Sequence, residues 1–166
     1  MHSSTSRPLP AAVITVSDRS AAGLREDRSG PAAVELLRAD GWTTDEPVVV
    51  SDGADQVAAA VRAAVAAGVR LIVTTGGTGV SPRDQTPEGT SRVITREVPG
   101  LAEHLRRIGA DEKPAGMLSR GLAGVVDPQG VLVVNLPGST AAVTTGIPAV
   151  LSVARHVIDQ LEGGDH

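Results

Sequence analysis

The chain has 166 residues, of which 41% are apolar, and its 15 basic and 19 acidic residues give a net charge of −4 at neutral pH; this length suits one domain with a sizeable core. Trp42 is the sole aromatic residue and the bases are scattered, which argues against a nucleic-acid groove and against a membrane surface. Because there is no cysteine, disulfides, thiolate metal sites and thiol nucleophiles are excluded.

Both ends of the chain are polar. Residues 1–10 contain two prolines and lack the apolar core of a signal peptide, so we expect a flexible N-terminal arm. Residues 162–166 are expected to form a frayed tail, which leaves 11–161 as a single domain. No apolar run approaches the roughly 18 residues of a membrane span. We therefore expect a cytoplasmic protein that binds neither nucleic acid nor a membrane.

The first predicted strand spans residues 11–16 (AAVITV), since continuous apolar runs with β-branched residues are typical of buried parallel strands. Asp18 follows its carboxyl end, the edge where ligands bind in open α/β sheets. The alternative is that Asp18 only accepts hydrogen bonds from the next turn. A loop over 21–28 leads to a predicted helix over 29–40, which Gly41 ends.

A second strand followed by an acid comes next along the chain. Residues 47–50 (PVVV) are predicted to form this strand, and Asp52 lies just beyond it. Asp52 is either a functional acid or only the N-cap of the following helix. Apolar residues at helical spacing predict that helix over 54–68.

Residues 71–90 (LIVTTGGTGVSPRDQTPEGT) are the most constrained stretch of the sequence. A short apolar strand leads into Gly76–Gly79, where three glycines in four positions allow positive φ and let backbone N–H groups approach a ligand. Asp84 lies in the polar turn that follows, and Thr86 is predicted to be the N-cap of a helix over 87–98. Taken separately, the glycine loop also fits a simple tight turn, and Asp84 a solvated turn residue.

The last third of the chain contains a second glycine turn. A helix over 101–108 and a loop over 109–114 are predicted, followed by a short turn or helix over 115–120 that carries Ser119 and Arg120. Apolar residues on either side of a polar turn predict a hairpin over 125–134. The PGS turn at 137–139 opens a long C-terminal helix. Its serine is either only a helix N-cap or part of an anion site, since Gly138 ahead of it places bare N–H groups at the helix start.

Strands that alternate with helices predict an α/β fold with three layers, in which a mostly parallel sheet carries helices on both faces. The loops that bear the acids and the glycine turns all follow strands, so they should meet at one edge of the sheet. Turns rich in N–H groups suit phosphates, and two acids beside phosphates are a common way to hold Mg²⁺. These residues indicate a phosphate-ligand enzyme or binding protein, with phosphoryl or nucleotidyl transfer as the reaction class.

Six landmarks occur in order along residues 11–161. They are Val16-Ser17-Asp18-Arg19, Asp52, Thr74–Thr90, Pro99-Gly100, Met117-Leu118-Ser119-Arg120 and Asn135–Ser139. In this order and spacing they resemble the Mog/MoaB family of molybdenum-cofactor biosynthesis, the molybdopterin adenylyltransferases. The resemblance covers essentially the whole predicted domain.

The resemblance implies a molybdopterin-binding fold and a reaction in which AMP passes from Mg²⁺-bound ATP to the terminal phosphate of molybdopterin, releasing pyrophosphate. It implies that Asp52 and Asp84 are the catalytic acids and the metal ligands. The contacts that it implies for nucleotide, phosphate or pterin are Asp18, Thr75, Gly76, Gly77, Thr78, Gly79, Ser119, Arg120, Pro137, Gly138 and Ser139. It further implies a cyclic homo-oligomer, which we expect to be a homotrimer, and contact with the molybdate-insertion enzyme.

Three alternatives stay open at this stage. The sequence does not separate a Mog-type from a MoaB-type role, nor a trimer from a hexamer. The same fold also serves as a non-catalytic module that binds molybdopterin or joins scaffolding domains. A small oligomeric α/β protein that binds another anionic metabolite is the third reading.

Overall fold

One mixed sheet of seven strands runs through the computed structural model, which describes residues 7–164. Residues 1–6 of the predicted arm and 165–166 of the predicted tail lie outside the described residues. The strands are β1 (Pro10–Val16), β2 (Thr43–Thr44), β3 (Val48–Val50), β4 (Leu71–Thr75), β5 (Arg96–Glu97), β6 (Ala123–Val126) and β7 (Val131–Leu136).

Helices alternate with these strands along the chain. They are α1 (Asp18–Ala21), α2 (Ser29–Ala39), α3 (Ala54–Ala66), α4 (Thr86–Ser91), α5 (Pro99–Glu112) and α6 (Thr140–Leu161). A 3₁₀ turn at Pro114–Leu118 connects α5 to β6.

Parallel strands form the centre of the sheet. β1 pairs with β4 and β4 with β7, while β2 and β3 both pair with β1, and all four pairings are parallel. Beyond β7, β6 and β5 extend the sheet with antiparallel pairing. The predicted mostly parallel sheet is confirmed. Its antiparallel edge arises because a short turn joins β6 to β7.

Alternate residues of the central strands cover opposite faces of the sheet. Val13, Val73 and Val134 pack with α2, α5 and α6. Ile14 and Ile72 pack on the other face, with α3. Helices therefore cover both faces, as predicted. The register brings the carboxyl ends of β1, β3, β4 and β7 together at one edge of the sheet.

The helix predicted over 87–98 is wrong in its second half. α4 ends at Ser91, and the chain enters β5 instead. The Thr95 N–H donates to the carbonyl of Val125 in β6 (2.8 Å), so pairing with a strand distant in sequence replaces the local helical bonds.

The loop predicted over 109–114 is also wrong, because α5 continues through Gly109 to Glu112. The reason lies in close packing between the helix and the 3₁₀ turn. A side chain on Gly116 would begin 2.2 Å from the backbone of Gly109. These two glycines let the turn lie directly against α5 without ending it.

α6 is a continuous helix of 22 residues with Pro148 inside it. Within the described residues it is the one helix whose length and composition would suffice to cross a membrane, a test that core helices of soluble proteins also pass. Its side chains Val143, Ile147, Val150 and Ile158 are fully buried in the core beneath the sheet. Packing in the core thus accounts for the apolar face of α6.

Candidate functional site

The glycine loop begins where β4 ends and requires glycine at its first two positions. Gly76 has φ +92° and Gly77 has φ +68°, a region that other residues rarely adopt. A side chain on Gly76 would begin 2.3 Å from the carbonyl oxygen of Val16, and one on Gly77 would begin 2.2 Å from Thr86 Oγ1. The loop therefore lies directly against the end of β1 and the start of α4.

Thr86 holds this loop rather than capping α4, so the predicted N-cap is wrong. The residue that precedes the helix is Gln85, and it makes no side-chain cap. The buried Thr86 hydroxyl donates to the carbonyl of Gly76 (2.8 Å), and its N–H donates to the carbonyl of Gly77 (3.0 Å). Two hydrogen bonds from one residue thus fix the first half of the loop.

A cavity of about 420 Å³ opens beside the glycine loop. Nine predicted site residues line it, drawn from the two glycine turns, the Asp84 turn and the Ser119 turn. They are Gly76, Gly77, Thr78, Gly79, Asp84, Ser119, Pro137, Gly138 and Ser139, with Lys113 among the residues not predicted. The structure therefore brings together segments that are far apart in the sequence.

Thr75 and Ser139 also make hydrogen bonds of their own beside this cavity. Thr75 is fully buried and its hydroxyl bonds with that of Ser29 (2.9 Å). It lines a neighbouring polar cavity of about 220 Å³, which shares Gly138 and Ser139 with the first. Ser139 is the N-cap of α6, because its Oγ accepts from the Ala142 N–H (3.0 Å). Contact of these residues with a ligand stays a prediction.

Asp18 and Asp52 are hydrogen-bonded to one another's backbone. The Asp18 N–H donates to Asp52 Oδ2 (3.0 Å), and the Asp52 N–H donates to Asp18 Oδ1 (3.1 Å). Asp52 is not a helix N-cap, since Gly53 occupies that position of α3 without a side-chain cap. Asp52 Oδ1 instead points at the glycine loop, 3.1 Å from where a side chain on Gly77 would begin.

Asp84 approaches the same loop from its other end. Its Oδ2 accepts from the Ser81 N–H (3.1 Å) and lies 2.8 Å from where a side chain on Gly79 would begin. Burial raises the pKa of Asp52 above its usual value, and the charges of Asp18 and Asp84 raise it further. The charges of Asp18 and Asp84 therefore act on Asp52, in addition to its burial.

The acids fit a cation that is completed by ligands from a substrate. Among residues 7–164, no group of three or more His, Cys, Asp or Glu side chains is arranged to hold a metal ion. Mg²⁺, however, is commonly held by one or two carboxylates together with phosphate oxygens and water. The half-buried carboxylate of Asp52 and that of Asp84, which approach the same loop at Gly77 and Gly79, provide this smaller set, and a cation would offset the repulsion between them.

Two arginines hold the acid-bearing loops, and the sequence showed the role of neither. Arg83 bonds with both carboxylate oxygens of Asp18 (3.0 Å each). Arg120 is absent from the residues that line the large cavity. Its side chain donates to the carbonyls of Gly79 (2.8 Å) and Asp84 (2.7 Å). The position of Arg83 next to Asp84 was the one local signal of its importance.

Comparison with known proteins gives one family and several similar chains. Residues 12–156 match the family model described as "Probable molybdopterin binding domain". The "Molybdopterin adenylyltransferase" of Pyrococcus furiosus is 38% identical over 149 residues, with 88% of this chain and 87% of the relative covered. The "Molybdenum cofactor biosynthesis bifunctional protein" of Synechococcus elongatus is 41% identical over 94% of this chain, which spans only 48% of that relative.

A solved structure agrees with these relatives. The structure described as a molybdopterin biosynthesis protein from Mycobacterium abscessus superposes with a TM-score of 0.86 at 42% identity. The match covers 93% of this chain and 97% of the other. The similarity in sequence and in fold therefore extends over almost the whole described chain.

Proposed function

Because the chain belongs to the molybdopterin-binding-domain family of Mog and MoaB proteins, we propose that it is a molybdopterin adenylyltransferase. The family places it in molybdenum-cofactor biosynthesis. In the proposed reaction, an oxygen of the terminal phosphate of molybdopterin attacks the α-phosphorus of ATP. The bond from that phosphorus to the bridging oxygen breaks, and pyrophosphate leaves with the negative charge.

The observation that carries this proposal is the position of two carboxylates on one glycine loop. Asp52 Oδ1 lies against Gly77, and Asp84 Oδ2 lies against Gly79. Both acids therefore border the backbone that would receive phosphates. A binding protein for an anion gains nothing from two carboxylates at that place, whereas nucleotidyl transfer needs a cation between them and the phosphates.

The Mg²⁺ held by Asp52 and Asp84 would neutralise charge that builds on the phosphates as pyrophosphate leaves. The chain itself supplies position. N–H groups of Gly76–Gly79 and of the turn before α6 would orient the phosphates, since a helix N-terminus favours negative charge. The two adjoining cavities give room on either side of Gly138 and Ser139, as a reaction between two substrates requires. Catalysis of this type depends mainly on positioning and charge neutralisation.

The test is pyrophosphate release by purified protein supplied with molybdopterin, ATP and Mg²⁺. We expect release only when all three are present, together with an adenylylated pterin. Protein that retains the fluorescent pterin but releases no pyrophosphate would be a binding module of the same fold. Protein that retains no pterin would contradict both functions and favour another anionic ligand.

A further inference from the structure

Arg83 joins the two loops that carry the proposed metal ligands. Its Nε donates to Asp18 Oδ2 and its Nη2 to Asp18 Oδ1, both at 3.0 Å. The same Nη2 donates to the backbone carbonyl of Asp52 (2.9 Å). Since Arg83 directly precedes Asp84, these three hydrogen bonds connect the backbone next to Asp84 with the loop that carries Asp52.

Both carboxylate oxygens of Asp18 accept hydrogen bonds within this network. Oδ2 accepts from Arg83, while Oδ1 accepts from both Arg83 and the Asp52 N–H. In return, the Asp18 N–H holds Asp52 Oδ2 (3.0 Å). Within the described residues, Asp52 Oδ1 makes no hydrogen bond and is the oxygen that faces the glycine loop. The network thus occupies Asp18 and leaves one oxygen of Asp52 available.

Building on the adenylyl-transfer function proposed above, we propose that Arg83 and Asp18 are positioning residues whose ion pair sets the distance between the Asp52 and Asp84 carboxylates. In this role neither residue contacts substrate or metal. It replaces the direct substrate contact that the family resemblance implies for Asp18. The available oxygen of Asp52 and the carboxylate of Asp84 are then held in a fixed arrangement for the cation.

The charges of Arg83 and of the three acids Asp18, Asp52 and Asp84 agree with this division of roles. Three carboxylates stand close together, and the guanidinium of Arg83 offsets that of Asp18. The remaining two negative charges, on Asp52 and Asp84, match one divalent cation. The planar fork of arginine matches a carboxylate with two parallel hydrogen bonds, which a lysine ammonium cannot reproduce. Geometry, in addition to charge, is therefore required at residue 83.

The Arg83–Asp18 ion pair is exposed, so its effect on the metal site can be separated from an effect on folding stability. The side chains of Arg83 and Asp18 are 65% and 43% exposed, and exposed ion pairs contribute little to folding. Arg96 and Asp127 form a matched pair elsewhere: it has the same two-bond geometry, at 2.9 Å, and exposures of 64% and 42%. Arg96→Gln is therefore a control that removes an equivalent pair away from the acids.

The experiment compares Arg83→Gln, Arg83→Lys, Asp18→Asn, the Arg83→Gln/Asp18→Asn double variant and Arg96→Gln. One readout is Mn²⁺ affinity in the presence of ATP, measured by electron paramagnetic resonance without any turnover. The other is AMP transfer as kcat and as the Mg²⁺ concentration for half-maximal rate. Urea unfolding at neutral pH verifies that each variant is folded.

We expect both Arg83 variants to weaken Mn²⁺ binding and to lower kcat by about tenfold or more, the scale of losing a correctly placed group. Arg96→Gln should change neither readout. The double variant should be no worse than the poorer single variant, because both substitutions remove one ion pair.

Three results would overturn the proposal. Wild-type Mn²⁺ affinity in Arg83→Gln would show that the pair does not set the site. Full recovery by Arg83→Lys would show that charge alone suffices, and additive losses in the double variant would show that Arg83 acts independently of Asp18. Absence of AMP transfer in the wild type would instead contradict the enzyme function, and the Mn²⁺ readout would still decide the role of Arg83.

Discussion

Asp52 Oδ1 lies 3.1 Å from the point where a side chain on Gly77 would begin. One of the two proposed metal ligands is therefore in contact with the loop that is proposed to bind phosphate. Position 77 therefore needs glycine for two reasons. Gly77 has φ +68°, and the absence of a side chain leaves room beside Asp52. Binding and catalysis are thus linked through a single residue.

Gly77→Ala should reduce both folding stability and nucleotide binding. The added methyl group would displace Thr86 Oγ1, which lies 2.2 Å away and bonds with the loop. Gly23→Ala is the matched control, because Gly23 has φ +73° and nothing within 4 Å of the added atom. We expect about 1 kcal/mol of destabilisation for Gly23→Ala from backbone strain and at least about 1 kcal/mol more for Gly77→Ala.

Urea unfolding and nucleotide binding of the two glycine variants measure this difference. Nucleotide affinity should fall in Gly77→Ala and stay unchanged in Gly23→Ala. Equal stabilities with unchanged affinity would show that the loop is a simple turn.

Asp52→Asn should stabilise the free protein at neutral pH. Burial and the neighbouring acids raise the pKa of Asp52 in the folded state, so the folded chain holds the proton more tightly than the unfolded chain does. The free energy of unfolding of the wild type, relative to that of Asp52→Asn, should therefore fall as pH rises from the pKa of Asp52 in the unfolded chain to its pKa in the folded chain. Above that pH the difference should stay level. Because Asp52 is only half-buried, we expect a gain of less than about 1 kcal/mol. Urea unfolding without divalent cations, from pH 3 to 8, would contradict this if the difference did not change with pH.

Asn135→Ala should destabilise the sheet beneath the site. The buried Asn135 side chain donates to the hydroxyls of Thr74 (2.9 Å) and Thr90 (3.0 Å) and accepts from the Leu122 N–H (3.0 Å). Its removal leaves buried polar groups without hydrogen-bond partners, and we expect the free energy of unfolding to fall by about 1–3 kcal/mol. Gln129→Ala, at an exposed turn, should have no measurable effect on urea unfolding. Equal stability of the two variants would contradict the structural role of Asn135.

Local patterns predicted the parts of the site that lie within one segment. Glycine spacing predicted the turn at Gly76–Gly79, and an acid after a strand singled out Asp18 and Asp52. Asp84 lies in the turn after the glycine loop, and its proposed role beside Asp52 comes from the family resemblance. The same patterns failed where a distant partner decides the structure. Thr86 looks like an N-cap because its hydroxyl could accept from α4, yet that hydroxyl donates to Gly76.

The long-range network could not be read from the sequence. Asp18 and Asp52 are 34 positions apart, and Arg83 is 65 positions from Asp18. They meet only because β1, β3 and β4 are parallel neighbours in register. Likewise, β2 has two residues, too few for any periodicity. These contacts depend on side-chain orientation and on strand register, which local sequence patterns do not reveal.

We expect the protein to be a homotrimer. An open groove between α2 and α6 is lined mainly by apolar residues such as Leu36, Ala39, Pro148 and Leu151, and apolar surface of this kind suits packing between subunits. Light scattering at micromolar concentration should give three times the 16.8 kDa chain mass. A monomer under these conditions would contradict the expected assembly.

The most direct test of the account is AMP transfer by Asp52→Asn and Asp84→Asn. Each change keeps the side-chain volume and removes the charge that the cation requires. We expect AMP transfer to fall by roughly 10²-fold or more in each, while molybdopterin affinity changes by less than about tenfold. Because both acids serve one cation, the double variant should be little worse than the poorer single variant. Asp45→Asn, at an exposed acid directly after β2, which pairs with the start of β1, should retain wild-type transfer. Normal turnover with weakened pterin binding in both single variants would show that Asp52 and Asp84 are ligand contacts, and would contradict the catalytic role proposed for them.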